Sequence, residues 1–178
     1  MVVGADRVSD YLQQWREVRP DLDVAPMGVV GRISRANELA GRATRAYFTG
    51  HGLQPGEFDV LATLRRSGAP FTLTPGELAE STMVSSAAIT NRLSRLETKG
   101  LLRRRTDPHN RRNVLVALTK DGLALVEQVV EGHLENERRL LAPLTPQEQT
   151  QLAGLLERLL AGSGDSSRTS GSKSHHRD

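Results

Sequence analysis

The 178-residue sequence contains no cysteine. Disulfides, thiolate metal sites and cysteine-based redox sensing are therefore excluded. Aromatic residues make up only 3% of the chain, with one Trp, two Tyr and three Phe. Leucine, valine and alanine must build most of any core. No apolar run is long enough to span a bilayer, and Met1-Val2-Val3-Gly4-Ala5-Asp6 lacks the basic-then-apolar order of a secretory signal. A cytoplasmic location without a membrane partner is the expectation. Also missing are a nucleophile–base pattern, a glycine-rich phosphate loop and metal-ligand spacing. His51, His109 and His133 lack ligand partners at a suitable spacing, and the terminal His175-His176 pair makes a poor site. No enzyme, metal or cofactor is expected.

What the chain does have is a localised positive charge. Between Arg92 and Arg112 eight basic residues (Arg92, Arg95, Lys99, Arg103, Arg104, Arg105, Arg111, Arg112) face two acids, Glu97 and Asp107, for a local net of +6. The whole chain carries only +3, so the remainder is acidic overall. A concentrated basic surface of this kind suits a polyanion.

That charge coincides with a pattern of elements. Thr74-Pro75-Gly76-Glu77 opens a short helix: Thr74 caps it, Pro75 takes the first helical position and Glu77 closes a capping box. Met83-Val84 make a turn, and Ser85 or Ser86 caps a second helix running to Lys99. In that helix Ile89, Leu93 and Leu96 recur at helical spacing and form one buried stripe. Ser86, Thr90, Asn91 and Arg95 fall off the stripe, where polar side chains can face a major groove. Gly100 suits a left-handed C-terminal cap. Leu101–Thr106 and Asn113–Leu118 read as two strands of a wing joined by the polar turn Asp107-Pro108-His109-Asn110-Arg111-Arg112.

Helices surround this module. Asp6 to Arg19 places Val8, Tyr11, Leu12, Trp15 and Val18 on one face, and a long helix from about Met27 to Gly50 carries Val29, Ile33, Ala36, Ala40, Ala43 and Tyr47 on another. Pro55 begins a helix with Phe58, Val60, Leu61 and Leu64 that stops at Gly68. After the wing, Thr119 caps a helix from Lys120 to about Leu141, and a capping box at Thr145-Pro146-Gln147-Glu148 starts a last helix with Leu152, Leu155, Leu156 and Leu159 on one ridge. The expected fold class is mainly α with a small β wing: a winged helix-turn-helix domain plus a helical dimerisation region. The expected divisions are 1–26, an extra N-terminal helix and linker; 27–54, a dimerisation helix; 55–118, the winged helix-turn-helix region; 119–161, C-terminal dimerisation helices; and 162–178, a disordered tail. The winged module is too small to cover every apolar stripe, so a two-fold homodimer is expected.

Over roughly Met27 to Ala161 the order of elements resembles the MarR family of bacterial transcription regulators. The resemblance is carried most specifically by Thr90–Arg104, by Asp107–Arg112 and by Leu118-Thr119-Lys120-Asp121-Gly122. It implies a recognition helix in the major groove and a wing-tip arginine, Arg112 or Arg111, in the minor groove. The DNA-binding set is then Ser85, Ser86, Thr90, Asn91, Arg95, Arg103, Arg111 and Arg112.

A narrower resemblance is to the urate-responsive branch of that family. It rests on the extra helix with Trp15, on Asp59 and Arg66 seven residues apart on one helix, and on Arg92 of the recognition helix. It implies a ligand set of Trp15, Asp59, Arg66 and Arg92 for urate, or for another purine or phenolic anion. Each residue also has a plainer reading. Trp15 can be a packing residue, Asp59 and Arg66 each sit at the helix end that favours their charge, and Arg92 can be a phosphate contact. The expected function is a ligand-responsive, sequence-specific DNA-binding regulator, in the family's usual mode a repressor, that releases a pseudo-palindromic operator when a planar anion binds. The competing reading is a winged-helix architectural or protein-interaction module without a small-molecule ligand.

Overall fold

A computed structural model describes residues 6–54, 56–82, 86–108 and 110–164, with the side chains of Ser86 and Ala87 outside that description. The elements in chain order are α1 (Arg7–Val18), α2 (Ala25–Gly50), α3 (Glu57–Arg66), β1 (Thr72–Leu73), α4 (Pro75–Thr82), α5 (Ser86–Thr98), β2 (Leu102–Thr106), β3 (Val114–Leu118), α6 (Lys120–Leu141) and α7 (Pro146–Gly162). They fall into two compact units, one ending at Glu137 and one beginning at Arg138. Ser85, the Met83-Val84 turn, His109 and the tail beyond 164 lie outside the described residues.

Local chemistry sets most boundaries. The Asp6 carboxylate caps α1 by accepting from the Ser9 N–H at 2.8 Å. Thr74 and Glu77 form the expected reciprocal pair at the start of α4: the Thr74 N–H donates to Glu77 Oε2 at 2.7 Å and the Glu77 N–H to Thr74 Oγ1 at 3.2 Å. Thr145 and Glu148 repeat the arrangement at α7. Gly100 takes φ 72°, as a left-handed cap after α5 requires. α3 starts at Glu57, and Gly56, at φ 78°, stands before it as a left-handed N-cap; the expected start, Pro55, lies outside the described residues.

The sheet has three strands in the order β1-β3-β2, all antiparallel. β1 is an addition to the two strands expected. It is only two residues long, too short to show a period, and pairs Thr72 with Ala117 and Leu73 with Val116. β3 thereby becomes the central strand, and Val116, Ala117 and Leu118 are buried together while Val114 at the outer end is exposed. The core is aliphatic with one aromatic corner. Leu61, Leu64, Leu78, Leu93, Leu96, Ile89 and Val116 meet across α3, α4, α5 and the sheet, while the Phe48 and Phe58 rings stack at 4.6 Å beside His133.

The helices outside this core differ from expectation in one respect. α1 buries only Leu12, and the 26-residue α2 buries only Gly28 and Phe48. The stripe predicted on α2 is apolar, yet Val29 at its head is 61% exposed. In the second unit α7 buries none of its side chains, and Leu155 is 59% exposed. These faces are apolar as the periodicity predicts; on α2 the far end of the stripe is partly covered, Tyr47 packing on the core and donating to the Val129 carbonyl, while Val29 and Ala36 stay exposed.

Candidate nucleic-acid interface and effector cavity

The interface is built on α5. Its inner stripe, Ile89, Leu93 and Leu96, is at most 2% exposed and anchors the helix in the core. With that face fixed, the 100° step per residue turns Thr90, Asn91 and Arg95 outward, and all three are exposed. The wing follows directly. The Leu101 N–H closes onto the Leu96 carbonyl at 3.0 Å and sends the chain into β2. β2 and β3 are in register from Leu102↔Leu118 to Thr106↔Val114. At the tip the Asp107 N–H donates to the Asn113 carbonyl at 2.9 Å and the Arg112 N–H to Asn110 Oδ1 at 3.2 Å. Arg111 and Arg112 are exposed there, as is Arg103 on β2.

Two structural ties hold α5; the first was not legible in the sequence, and the second selects, for Arg104, bracing of the wing over contact with a backbone phosphate. The first is to the start of α3. Glu57 is completely buried; its Oε2 accepts from the Gln54 N–H at 2.6 Å and from Lys99 Nζ at 2.6 Å, and Lys99 Nζ also donates to the Gly52 carbonyl at 2.8 Å. The second is to β2, through Glu97 and Arg104, whose Nε lies 3.3 Å from Glu97 Oε2. The partners of the first tie are 42 residues apart in sequence, beyond any local pattern. The second joins a helix to the strand after it, across a change of period.

The four residues of the expected ligand set are not all brought together. Asp59 and Arg66 do line one cavity, between α3 and α6, of about 330 Å³. Phe58, Ala62, Arg65, Val126, Val130 and His133 complete it. Arg66 Nη2 donates to Thr63 Oγ1 at 3.0 Å, and Arg65 is engaged by Glu127 and lies over the Phe71 ring at 5.3 Å. Trp15 lines a different groove, between α1 and α2, of about 450 Å³, with Tyr11, Leu12 and Met27. Arg92 lies outside both. Its guanidinium packs on Gly56, so close that a Cβ there would stand 2.3 Å from Cζ. Among the described residues no ion pair joins Asp59 to Arg66 or to Arg92. Arg92 Nη1 is buried without a hydrogen-bond partner. A direct Asp59–Arg92 link is thus absent among the described residues, and the turn that begins α3 connects the two regions instead: Asp59 faces the cavity while Gly56 and Glu57, in the same turn, touch Arg92 of α5 and Lys99 just after it.

The cavity has the volume of a small-molecule site, and its apolar wall of Phe58, Ala62, Val126 and Val130 is joined by two arginines, one carboxylate and His133. Among the described residues no cluster of His, Asp and Glu is placed to hold a metal ion, and no helix is long and apolar enough to cross a membrane.

Comparison with known proteins agrees with this geometry. Residues 51–113, which span α3 through β2 and the turn after it, match the MarR family. The chain is 47% identical to the HTH-type transcriptional regulator PecS of Dickeya dadantii over 152 residues, covering 85% of this chain and 92% of that protein. Among solved structures, a variant of MarR from E. coli complexed with operator DNA superimposes with a TM-score of 0.66 at 30% identity, covering 82% of this chain and 97% of that one. The structure of BpsR from Bordetella bronchiseptica, solved to explain regulation of its DNA binding by 6-hydroxynicotinic acid, gives 0.65 at 28% identity over 74% of this chain and 97% of that one. These relatives are regulators, not enzymes.

Proposed function

The chain belongs to the MarR family of DNA-binding transcription regulators, and we propose that it is a homodimeric repressor released from its operator by a small planar anion such as urate. The observation that carries the DNA half of this reading is the orientation of α5, which buries Ile89, Leu93 and Leu96 and turns Thr90, Asn91 and Arg95 outward beside the basic wing. Thr90, Asn91 and Arg95, with Ser85 and Ser86, read base edges. Arg103 meets backbone phosphate, and Arg112, seconded by Arg111, enters the minor groove.

The dimer is supported by the apolar side chains that one chain leaves exposed: Tyr11, Val18, Val29 and Val30 in the first unit, Leu152, Leu155, Leu159 and Leu160 in the second. Two recognition helices related by a two-fold axis read half-sites roughly 10 bp apart.

The effector half rests on the Asp59–Arg66 cavity. The anion pairs with Arg66 and repels Asp59. Displacement of the first turn of α3 reaches α5 through the Gly56–Arg92 contact and the Glu57–Lys99 pair, and turns the recognition helix out of register with its mate. Trp15 joins the effector only in the dimer, because in the single chain it lines the α1–α2 groove. The regulation of BpsR by 6-hydroxynicotinic acid, itself a small planar acid, supports the ligand class. A tenfold loss of DNA affinity requires about 1.4 kcal/mol of coupling between the two sites.

The test is a gel-shift assay on the DNA upstream of the protein's own gene, with and without urate. Specific retention and its loss at millimolar urate are expected. Binding without sequence preference would favour the architectural module. Specific binding untouched by urate, salicylate or 6-hydroxynicotinate would remove the effector half alone.

A further inference from the structure

Three consecutive arginines, Arg103, Arg104 and Arg105, form most of β2, and the pleat of a strand sends the middle one to the opposite face from its neighbours. Arg103 and Arg105 are exposed, while the Arg104 side chain, 30% exposed, turns back onto α5. There its Nη2 donates to Ser94 Oγ at 2.8 Å and its Nε lies 3.3 Å from Glu97 Oε2. The other oxygen of Glu97 accepts the Arg104 backbone N–H at 3.2 Å. One carboxylate thus accepts the main-chain N–H and pairs by charge with the guanidinium of the same residue, whose hydrogen bond goes to Ser94 while its buried Nε makes none. Ser94 passes the connection on by donating to the Thr90 carbonyl at 3.1 Å.

The level of this contact in the sheet matters. Arg104 pairs with Val116, and Val116 pairs with Leu73. That is the last rung at which the sheet has three strands. Beyond it, Arg105↔Leu115 and Thr106↔Val114 form a two-stranded ribbon carrying Arg111 and Arg112 at its tip. An isolated two-stranded ribbon is marginally stable and free to change its angle. Its angle to the helix is set at its root, and Glu97 holds the root.

On the reading that the wing enters the minor groove, we propose that Glu97, Arg104 and Ser94 are a positioning clamp that sets the angle between wing and recognition helix, so that base-edge and minor-groove contacts form together. Arg104 is then not a phosphate contact, and Glu97, an acid inside a DNA-binding surface, serves affinity although its charge opposes it.

The two roles of Glu97 differ in sign. If it is only a surface acid, Glu97→Gln removes repulsion and tightens binding to DNA. If it is a clamp, the same change weakens binding. The probe is a duplex selected by the parent protein from random-sequence DNA, with melting temperature as the control for folding. We expect Glu97→Gln to bind about fivefold to tenfold more weakly, a size typical of coupled neighbours. The effect should vanish in an Arg112→Ala background, because a mispositioned wing has nothing further to lose. Arg104→Lys keeps the charge but not the fork, and should lose affinity to a similar degree; a phosphate contact would tolerate it. Unchanged or tighter binding by Glu97→Gln overturns the proposal, as does full additivity with Arg112→Ala. If Arg112→Ala alone leaves binding unchanged, its assignment to the minor groove falls and the cycle is run against Arg111→Ala instead, where full additivity overturns the clamp.

Discussion

Lys99→Met should be among the most damaging single changes at the recognition helix, and more damaging than Glu57→Gln in its partner. The asymmetry follows from burial: Glu57 has no exposed surface, whereas the Lys99 side chain is 34% exposed. Losing Lys99 strands a carboxylate in the core with the Gln54 N–H as its remaining donor and with Oε1 already unpartnered. Breaking a buried pair from this side costs about 3–5 kcal/mol, and partial access of water to the lysine side moves the expectation to about 3 kcal/mol. A domain of this size is stable by roughly 5–15 kcal/mol, so the loss is a large fraction of the total. In the opposite direction, Glu57→Gln leaves an amide oxygen for the Gln54 N–H, and Lys99 keeps the Gly52 carbonyl and turns its remaining protons to water. That variant should lose about 1 kcal/mol. The double variant should be more stable than Lys99→Met alone, since it removes the uncompensated charge. Urea unfolding followed by circular dichroism measures all three. A smaller loss in Lys99→Met than in Glu57→Gln would refute the reasoning, because the buried member of the pair would then not be the one that depends on its partner.

Gly122→Ala should fail at the junction of wing and α6, since a Cβ there would stand 1.8 Å from the Leu101 carbonyl oxygen, a backbone atom with no freedom to retreat; a loss of about 3 kcal/mol or a chain that does not fold is expected from thermal melts. Acid should unlatch α1 from α2: hydrogen bonds from the Ser9 backbone and then from the Arg32 guanidinium lower the Asp6 pKa from 3.8 to about 2. The stabilisation it provides is therefore complete above pH about 4 and lost as pH falls through 2. Trp15, the only tryptophan, reports the step by fluorescence, and Asp6→Asn should abolish the step between pH 4 and 2. Replacing Arg95 by alanine should relax sequence preference at one base, costing about 1–3 kcal/mol there, where a phosphate contact would weaken all sequences equally; selection from random DNA distinguishes these outcomes. Asp59→Asn and Arg66→Ala should each blunt release by urate while leaving DNA affinity and folding near the parent's, and a parental urate response in both would remove the cavity from the mechanism.

The sequence alone determined whatever depends on neighbours a few residues apart. The Thr74–Glu77 and Thr145–Glu148 boxes, the left-handed Gly100 and the Ile89–Leu93–Leu96 stripe are all matters of short spacing, and the structure has each of them. Because the inner face of α5 was legible, so was its outer face, and with it the candidate reading residues Thr90, Asn91 and Arg95. Tertiary structure decided what touches what. It gathered Asp59 and Arg66 at one cavity but put Trp15 in another groove and Arg92 against Gly56. It used Glu57 and Lys99, 42 residues apart, as a buried tie, and it turned one of three identical arginines inward. Periodicity states which face of an element is apolar or charged; it carries no information on which other element arrives there. The apolar stripe of α2 shows the same division in its simplest form. The pattern predicts an apolar face, and only packing determined that Tyr47 at one end meets α6 while Val29 at the other stays exposed.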